Sequence, residues 1–108
     1  MSVRAYVPAT FDLLARFHED GEVPTAGAVE AADESEEAEY AALLEAAEAS
    51  HAMSGGARRV VVVALVPHIG AVAAMREVAA VHVDTEEGAE PDDDLAWFAT
   101  QEIPHLLG

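Results

Sequence analysis

Ten consecutive residues, Arg58-Arg59-Val60-Val61-Val62-Val63-Ala64-Leu65-Val66-Pro67, constrain this chain more than any other stretch. They form an apolar, largely β-branched run that two arginines open and a proline closes, and proline cannot extend a sheet ladder. A half-buried strand alternates apolar and polar positions. This run does not, so both of its faces need cover. Burying each Val or Leu contributes about 1.5–3 kcal/mol, so the run supplies much of the driving force for folding. It reads as a central strand with helices packed on it.

The flanking segments supply candidates for those neighbours. Ser2 to Val7 reads as a first strand, with Val3, Ala5 and Val7 on one face, Arg4 and Tyr6 on the other, and Pro8 as its stop. Thr10 is a natural N-cap, Asp12 complements the helix dipole, and Gly21 suits a helix end, which predicts a first helix over about 11–20. Ala26 to Glu30 is a short strand candidate at a sheet edge. Asp33 is placed to cap a second helix, with Glu36 completing a capping box, an apolar stripe of Tyr40, Leu43, Leu44 and Ala47, and Gly55-Gly56 as its end. The acidic run Glu34 to Glu39 then lies at the positive end of that helix.

Beyond the central strand, residues 68–77 read either as a short helical crossover or as a loop with a little extended structure. Val78 to Asp84 is a further strand that carries His82 and Asp84 on one face, since side chains repeat every second residue. Thr85 to Asp94 is a charged loop, and Asp92 to Asp94 are expected to begin a third helix with Leu95, Phe98 and Glu102 along one side and Pro104 bending or ending it. The order β-α-β-α-β-β-α predicts one α/β domain over residues 1–108. It is expected to be a small two- or three-layer sandwich of about four mostly parallel strands with three helices. The ten residues 68–77 are near the lower limit for a crossover, so the direction of the last strand stays open.

Charge sets the next constraint. Twenty-one acidic residues stand against five basic ones, all arginine, for a net charge of -16. A field of that sign repels nucleic acid and anionic membrane and favours cations or basic protein surfaces. Three readings compete: a solubilising surface written by a GC-rich genome, adaptation to high salt, and an acidic face that docks on a basic partner. There is no cysteine, which excludes disulfides and thiolate metal sites. The opening residues do not read as a secretory leader, and the longest apolar run falls far short of a membrane span. A soluble cytoplasmic protein is expected.

No phosphate-loop, dinucleotide-fingerprint, G-x-S-x-G or H-E-x-x-H pattern occurs. Two Glu-x-x-His spacings, Glu48…His51 and Glu102…His105, are the pattern of a di-iron bundle. The valine run argues against a bundle and Pro104 breaks the second copy, so no metal or other cofactor is expected. His82-x-Asp84 is better placed, because ligands of open α/β sheets bind beyond the strand carboxyl ends. With a parallel last strand, Asp84 reaches that edge beside Thr10, and Trp97 and Gln101, four apart on the expected third helix, close over it. The competing reading makes His82 a hydrogen-bonded sheet residue, Thr10 a helix cap and Trp97 a core anchor.

Arg4-Ala5-Tyr6-Val7-Pro8-Ala9-Thr10, Glu39-Tyr40-Ala41-Ala42-Leu43, Val78 to Asp84 and Trp97-Phe98-Ala99-Thr100-Gln101-Glu102-Ile103 together resemble a family of small actinobacterial proteins of unknown function. The resemblance covers nearly the whole chain and implies a cytoplasmic single domain, with no activity to carry over.

Two function classes follow. The preferred one is a non-enzymatic binding or regulatory module that engages a basic protein through its acidic surface, with Glu34, Glu36 and Glu37 at its centre and Glu86 to Asp94 as a second lobe. The other is a small enzyme or ligand binder with a site formed by Thr10, His82, Asp84, Trp97 and Gln101.

Overall fold

The computed structural model describes residues 2–108. The valine run is strand β4 (Val60–Val66) and sits at the middle of a five-stranded sheet. Its neighbours are β1 (Val3–Ala9) and β6 (Val78–Val83), and the edges are β3 (Val29–Glu30) and β7 (Ala96–Phe98), in the order β3-β1-β4-β6-β7. Every β4 residue except Leu65 is buried, as a run without alternation requires. A separate two-stranded ribbon pairs β2 (Glu22–Pro24) with β5 (Val72–Ala74).

All pairings in both sheets are antiparallel, which overturns the expected mostly parallel sheet. The reason lies in the connections. A parallel neighbour needs a crossover of a dozen or more residues, usually helical. The residues between β4 and β6 form a turn, strand β5 and a 3₁₀ turn over Met75–Glu77 instead. Strand β5 folds back onto β2, so the chain re-enters the sheet beside β4 running the other way. Because β3 and β4 both run antiparallel to β1, they are parallel to each other, and the helix between them spans β1.

Three layers result. Helix α2 (Glu36–Ser54) covers one face of the sheet, packing Ala42, Ala46 and Ala47 on Tyr6, Val61 and Val63. On the other face, Leu14 and Phe17 of α1 (Phe11–Asp20), Val23 and Ala73 of the ribbon and Ile103 of α3 (Ile103–Leu107) pack on Ala5, Val7, Val62, Ala64, Val81 and Val83. Thr10 caps α1 through its hydroxyl, which accepts the Leu13 N–H at 3.1 Å. Gly21 closes that helix at φ 74°, a left-handed conformation that glycine adopts without a Cβ penalty, and its N–H reaches the Phe17 carbonyl.

Four local expectations are corrected. Pro8 does not stop β1: the strand continues through Pro8 to Ala9, opposite Val61 and Val60, because β3 reaches only Ala5 and Tyr6 and, among the described residues, leaves no strand beside the proline on the side away from β4. Ser35, not Asp33, caps α2. The Ser35 hydroxyl accepts the Ala38 N–H at 3.1 Å, and the Asp33 carboxylate accepts the Ser35 N–H at 2.8 Å. The third helix does not begin at Asp92; residues 96–98 extend the sheet as β7, and α3 is a single short element after a 3₁₀ turn over Thr100–Glu102. Finally, the buried stripe of α2 is Ala42, Ala46, Ala47 and Ser50, not the larger residues Tyr40, Leu43 and Leu44. Small side chains let the helix lie close to the sheet and turn the bulky ones aside.

Candidate functional site

That rotation of α2 leaves a groove. Tyr40, Leu43 and Leu44 face across it to His82, Leu95 and Trp97, enclosing a depression of about 340 Å³. Trp97 is 60% exposed and Tyr40 51% exposed. Towards the helix start, the groove continues over Tyr6, Val63 and Ala80 to Arg4 and Glu39. Towards the helix end it continues past Leu44 to Glu48, His51, Ala89 and Pro91. Carboxylates therefore stand along its length: Glu39, Asp94 and Glu48.

The walls follow from local sequence. Cross-strand pairing sets His82 opposite Trp97, on the face that also carries Val61 and Val63. Burial pushes the His82 imidazole below its ordinary pKa, so it is held neutral at physiological pH. Burial also raises the Tyr6 phenol, with the Glu39 charge adding to the rise.

The far wall is the loop between β6 and β7, and one buried ion pair fixes it. Arg59 Nε and Nη2 donate to the two carboxylate oxygens of Asp84, each at 2.8 Å, and both residues are about 5% exposed or less. The Arg59 backbone N–H also donates to Asp84, while the guanidinium donates to the carbonyls of Pro91 and Asp93. Arg58 donates from Nε to the Asp84 carbonyl and lies 4.2 Å above the Phe11 ring. The two arginines that open the valine run thus fasten the acidic loop to the sheet.

The sequence-predicted ligand residues do not converge. Thr10 and Asp84 lie at the sheet end marked by Ala9, Val60 and Val83, and both are engaged, one as a helix cap and one with Arg59. Gln101 is exposed in the 3₁₀ turn whose Thr100 hydroxyl donates to the Val78 carbonyl at the opposite end. His82 and Trp97 do come together, in the groove. Trp97 lies on a strand, not on a helix, and is exposed, not a core anchor. Of the two Glu-x-x-His pairs, Glu102 accepts the Ala99 N–H at 2.7 Å, and Glu48 and His51 stand exposed on α2.

Glu34, Glu36 and Glu37 are exposed at the start of α2, with Glu34 beside Arg4, Glu30, Asp33 and Glu39. The second acidic cluster, Glu86 to Asp94, follows Val83 and so lies at the other end of the sheet. The seven residues of β4 separate the two by about 20 Å. They do not form one face; they flank the two ends of the groove. Sequence reasoning missed the exposure of Tyr40 and Leu44. The signal for it was the spacing of Ala42, Ala46 and Ser50, a second stripe at four-residue intervals that competes with the bulkier one.

Residues 3–92 match the model of a family of unknown function (DUF6912). The match takes in α2, His82 and Asp84 and ends before Trp97, so three of the four segments quoted above fall inside it and the fourth outside. No curated protein and no solved structure matches the chain. With most of its length covered, the chain belongs to the DUF6912 family.

Proposed function

We propose that this protein is a binding module that receives a cationic, partly apolar segment of a partner protein in the groove between α2 and β7. The observation that carries this reading is the pair of exposed aromatics, Trp97 and Tyr40, set across a groove whose rim bears Glu39, Glu48 and Asp94. Tryptophan and tyrosine are enriched at the centres of protein interfaces. A tryptophan face next to carboxylates suits an arginine, which stacks on the ring and pairs with the acid. The two acidic clusters at the groove's ends add long-range attraction, which speeds encounter more than it tightens the complex. Glu34, Glu36 and Glu37 take this steering role. A small-molecule site at the strand ends has less support, since Asp84 is already bidentate with Arg59.

Trp97 is the sole tryptophan, so its fluorescence reports on the groove alone. Titration with a capped eight-residue peptide of alternating arginine and valine should shift its emission to shorter wavelength and saturate. An alternating glutamate and valine peptide should leave it unmoved. Replacing Glu34, Glu36 and Glu37 with Gln should slow association and flatten its salt dependence while the fold persists. A Trp97 spectrum indifferent to the cationic peptide would discard the reading.

A further inference from the structure

Resting on that reading of the groove, we infer that the partner segment docks as an added antiparallel strand, the sense of every pairing in the sheet, on the open edge of β7, hydrogen-bonded to the backbone of Trp97. Strand β7 is the last strand of the sheet, so its outer edge has no strand partner among the described residues. Edges are normally guarded by charge, proline or a bulge. Leu95-Ala96-Trp97-Phe98-Ala99 carries none of the first two, and its pairing with β6 is regular.

The register says which groups the edge presents. The Asp84 N–H donates to the Arg59 carbonyl at 3.0 Å, one position beyond the paired Val60 and Val83. In an antiparallel ladder, bonded and non-bonded pairs alternate, so the backbone of His82 points to β4 and those of Val81 and Val83 point to β7. Phe98 and Ala96 answer them, because they pair with Val81 and Val83. Trp97 is left with its N–H and carbonyl aimed outward. The next outward N–H, that of Ala99, is taken by the Glu102 carboxylate. The free bonding unit of the edge therefore belongs to Trp97, whose indole is largely exposed.

The same geometry selects the side chains of the incoming strand. A residue opposite Trp97 shares its face and lies over the indole beside Asp94, where an arginine is stabilised by the ring and the carboxylate. Its neighbours fall on the other face, beside Phe98 and the α3 residues Leu106 and Leu107 that pack on the main core. That side favours apolar residues. The recognised pattern is an alternation of arginine and a β-branched residue, a form of strand addition in which the backbone gives affinity and alternate side chains give specificity. A second copy of this chain is a poor occupant, since each copy carries a net charge of -16 and edge pairing would bring two acidic loops together.

The test compares two capped eight-residue peptides of alternating arginine and valine, one of them N-methylated at the arginines, on the unmodified protein. Charge and side chains are identical, so only the backbone bonds differ. Strand addition predicts at least a tenfold weaker dissociation constant for the methylated peptide, and slowed hydrogen exchange at the Trp97 amide with the unmethylated one. Equal affinity, with the Trp97 emission shifted by both, overturns strand addition and leaves the groove reading intact. An emission unmoved by either peptide overturns the groove reading itself. Protection of the Trp97 amide that grows with protein concentration, without peptide, assigns the edge to a second copy and also overturns the proposal.

Discussion

Arg59 and Asp84 meet side-on inside the protein, with Nε to Oδ2 and Nη2 to Oδ1 both at 2.8 Å. Their backbones are joined as well, Asp84 N–H to Arg59 carbonyl at 3.0 Å. The pair closes the β4–β6 ladder at the point where the acidic loop leaves the sheet, and the guanidinium's remaining bonds to Pro91 and Asp93 hold that loop in place. An element that looks from the sequence like a ligand-binding carboxylate is a fastening for the groove wall.

Removing one partner of such a pair strands a buried charge. Asp84→Asn should cost about 3–5 kcal/mol of unfolding free energy in urea titrations. The double replacement Arg59→Met with Asp84→Leu should recover a good part of that loss, because it leaves no charge unpaired. A single variant within about 0.5 kcal/mol of the parent, the range of ordinary surface changes, would show that the pair does not secure the loop.

Acidification should weaken the fold in two stages. Burial lowers the His82 pKa from its ordinary 6.5, so the native state favours the neutral ring. The stability this contributes is complete above pH 6.5 and is lost as pH falls towards the lower native value. For Asp84, burial alone pushes the carboxyl up, but the Arg59 hydrogen bonds and the Arg59 and Arg58 charges outweigh it and hold it below the ordinary 3.8. Its contribution is complete above that value and disappears below it. Melting curves against pH should show both declines, and His82→Gln should abolish the first alone.

Ser50 completes the same end of the sheet on its β1 side. Its buried hydroxyl donates to the Ala9 carbonyl at 2.6 Å and accepts the Val60 N–H at 2.8 Å, bridging the terminal pair of β1 and β4 from α2. Ser50→Ala leaves both groups buried without partners, at a cost of about 1–3 kcal/mol. Chemical denaturation should show that loss with an unchanged slope. A neutral variant would mean that the ladder end relaxes to satisfy itself.

Salt should stabilise the protein. At about 0.01 M the screening length is ~30 Å, longer than the ~20 Å spanned by a strand of this length, so the acidic clusters at the two sheet ends repel each other and the rest of the surface. At physiological ionic strength the length falls to about 8 Å. The melting temperature should rise over that interval. A fall would mean that attractive pairs outweigh repulsion on this surface.

What the sequence by itself determined is what its neighbouring residues decide among themselves. The unalternating valines of 60–66 demand cover on both faces, and they receive it. Thr10 and Gly21 bracket α1 because capping is a matter of groups within four residues of one another. Strand direction, the rotation of α2 and the state of Asp84 were decided elsewhere. Direction depended on whether residues 67–77 cross the sheet or fold back on β2, which is set by a ribbon partner that lies some fifty residues earlier in the chain. The helix had two usable stripes, and only contact with the sheet selects the alanines over Tyr40 and Leu44. Asp84 is neutralised by an arginine 25 positions away. Local signals survive in the sequence because the entropy of bringing their partners together is small; contacts that close long loops form only when the whole core forms, and no short window of sequence contains both ends of them.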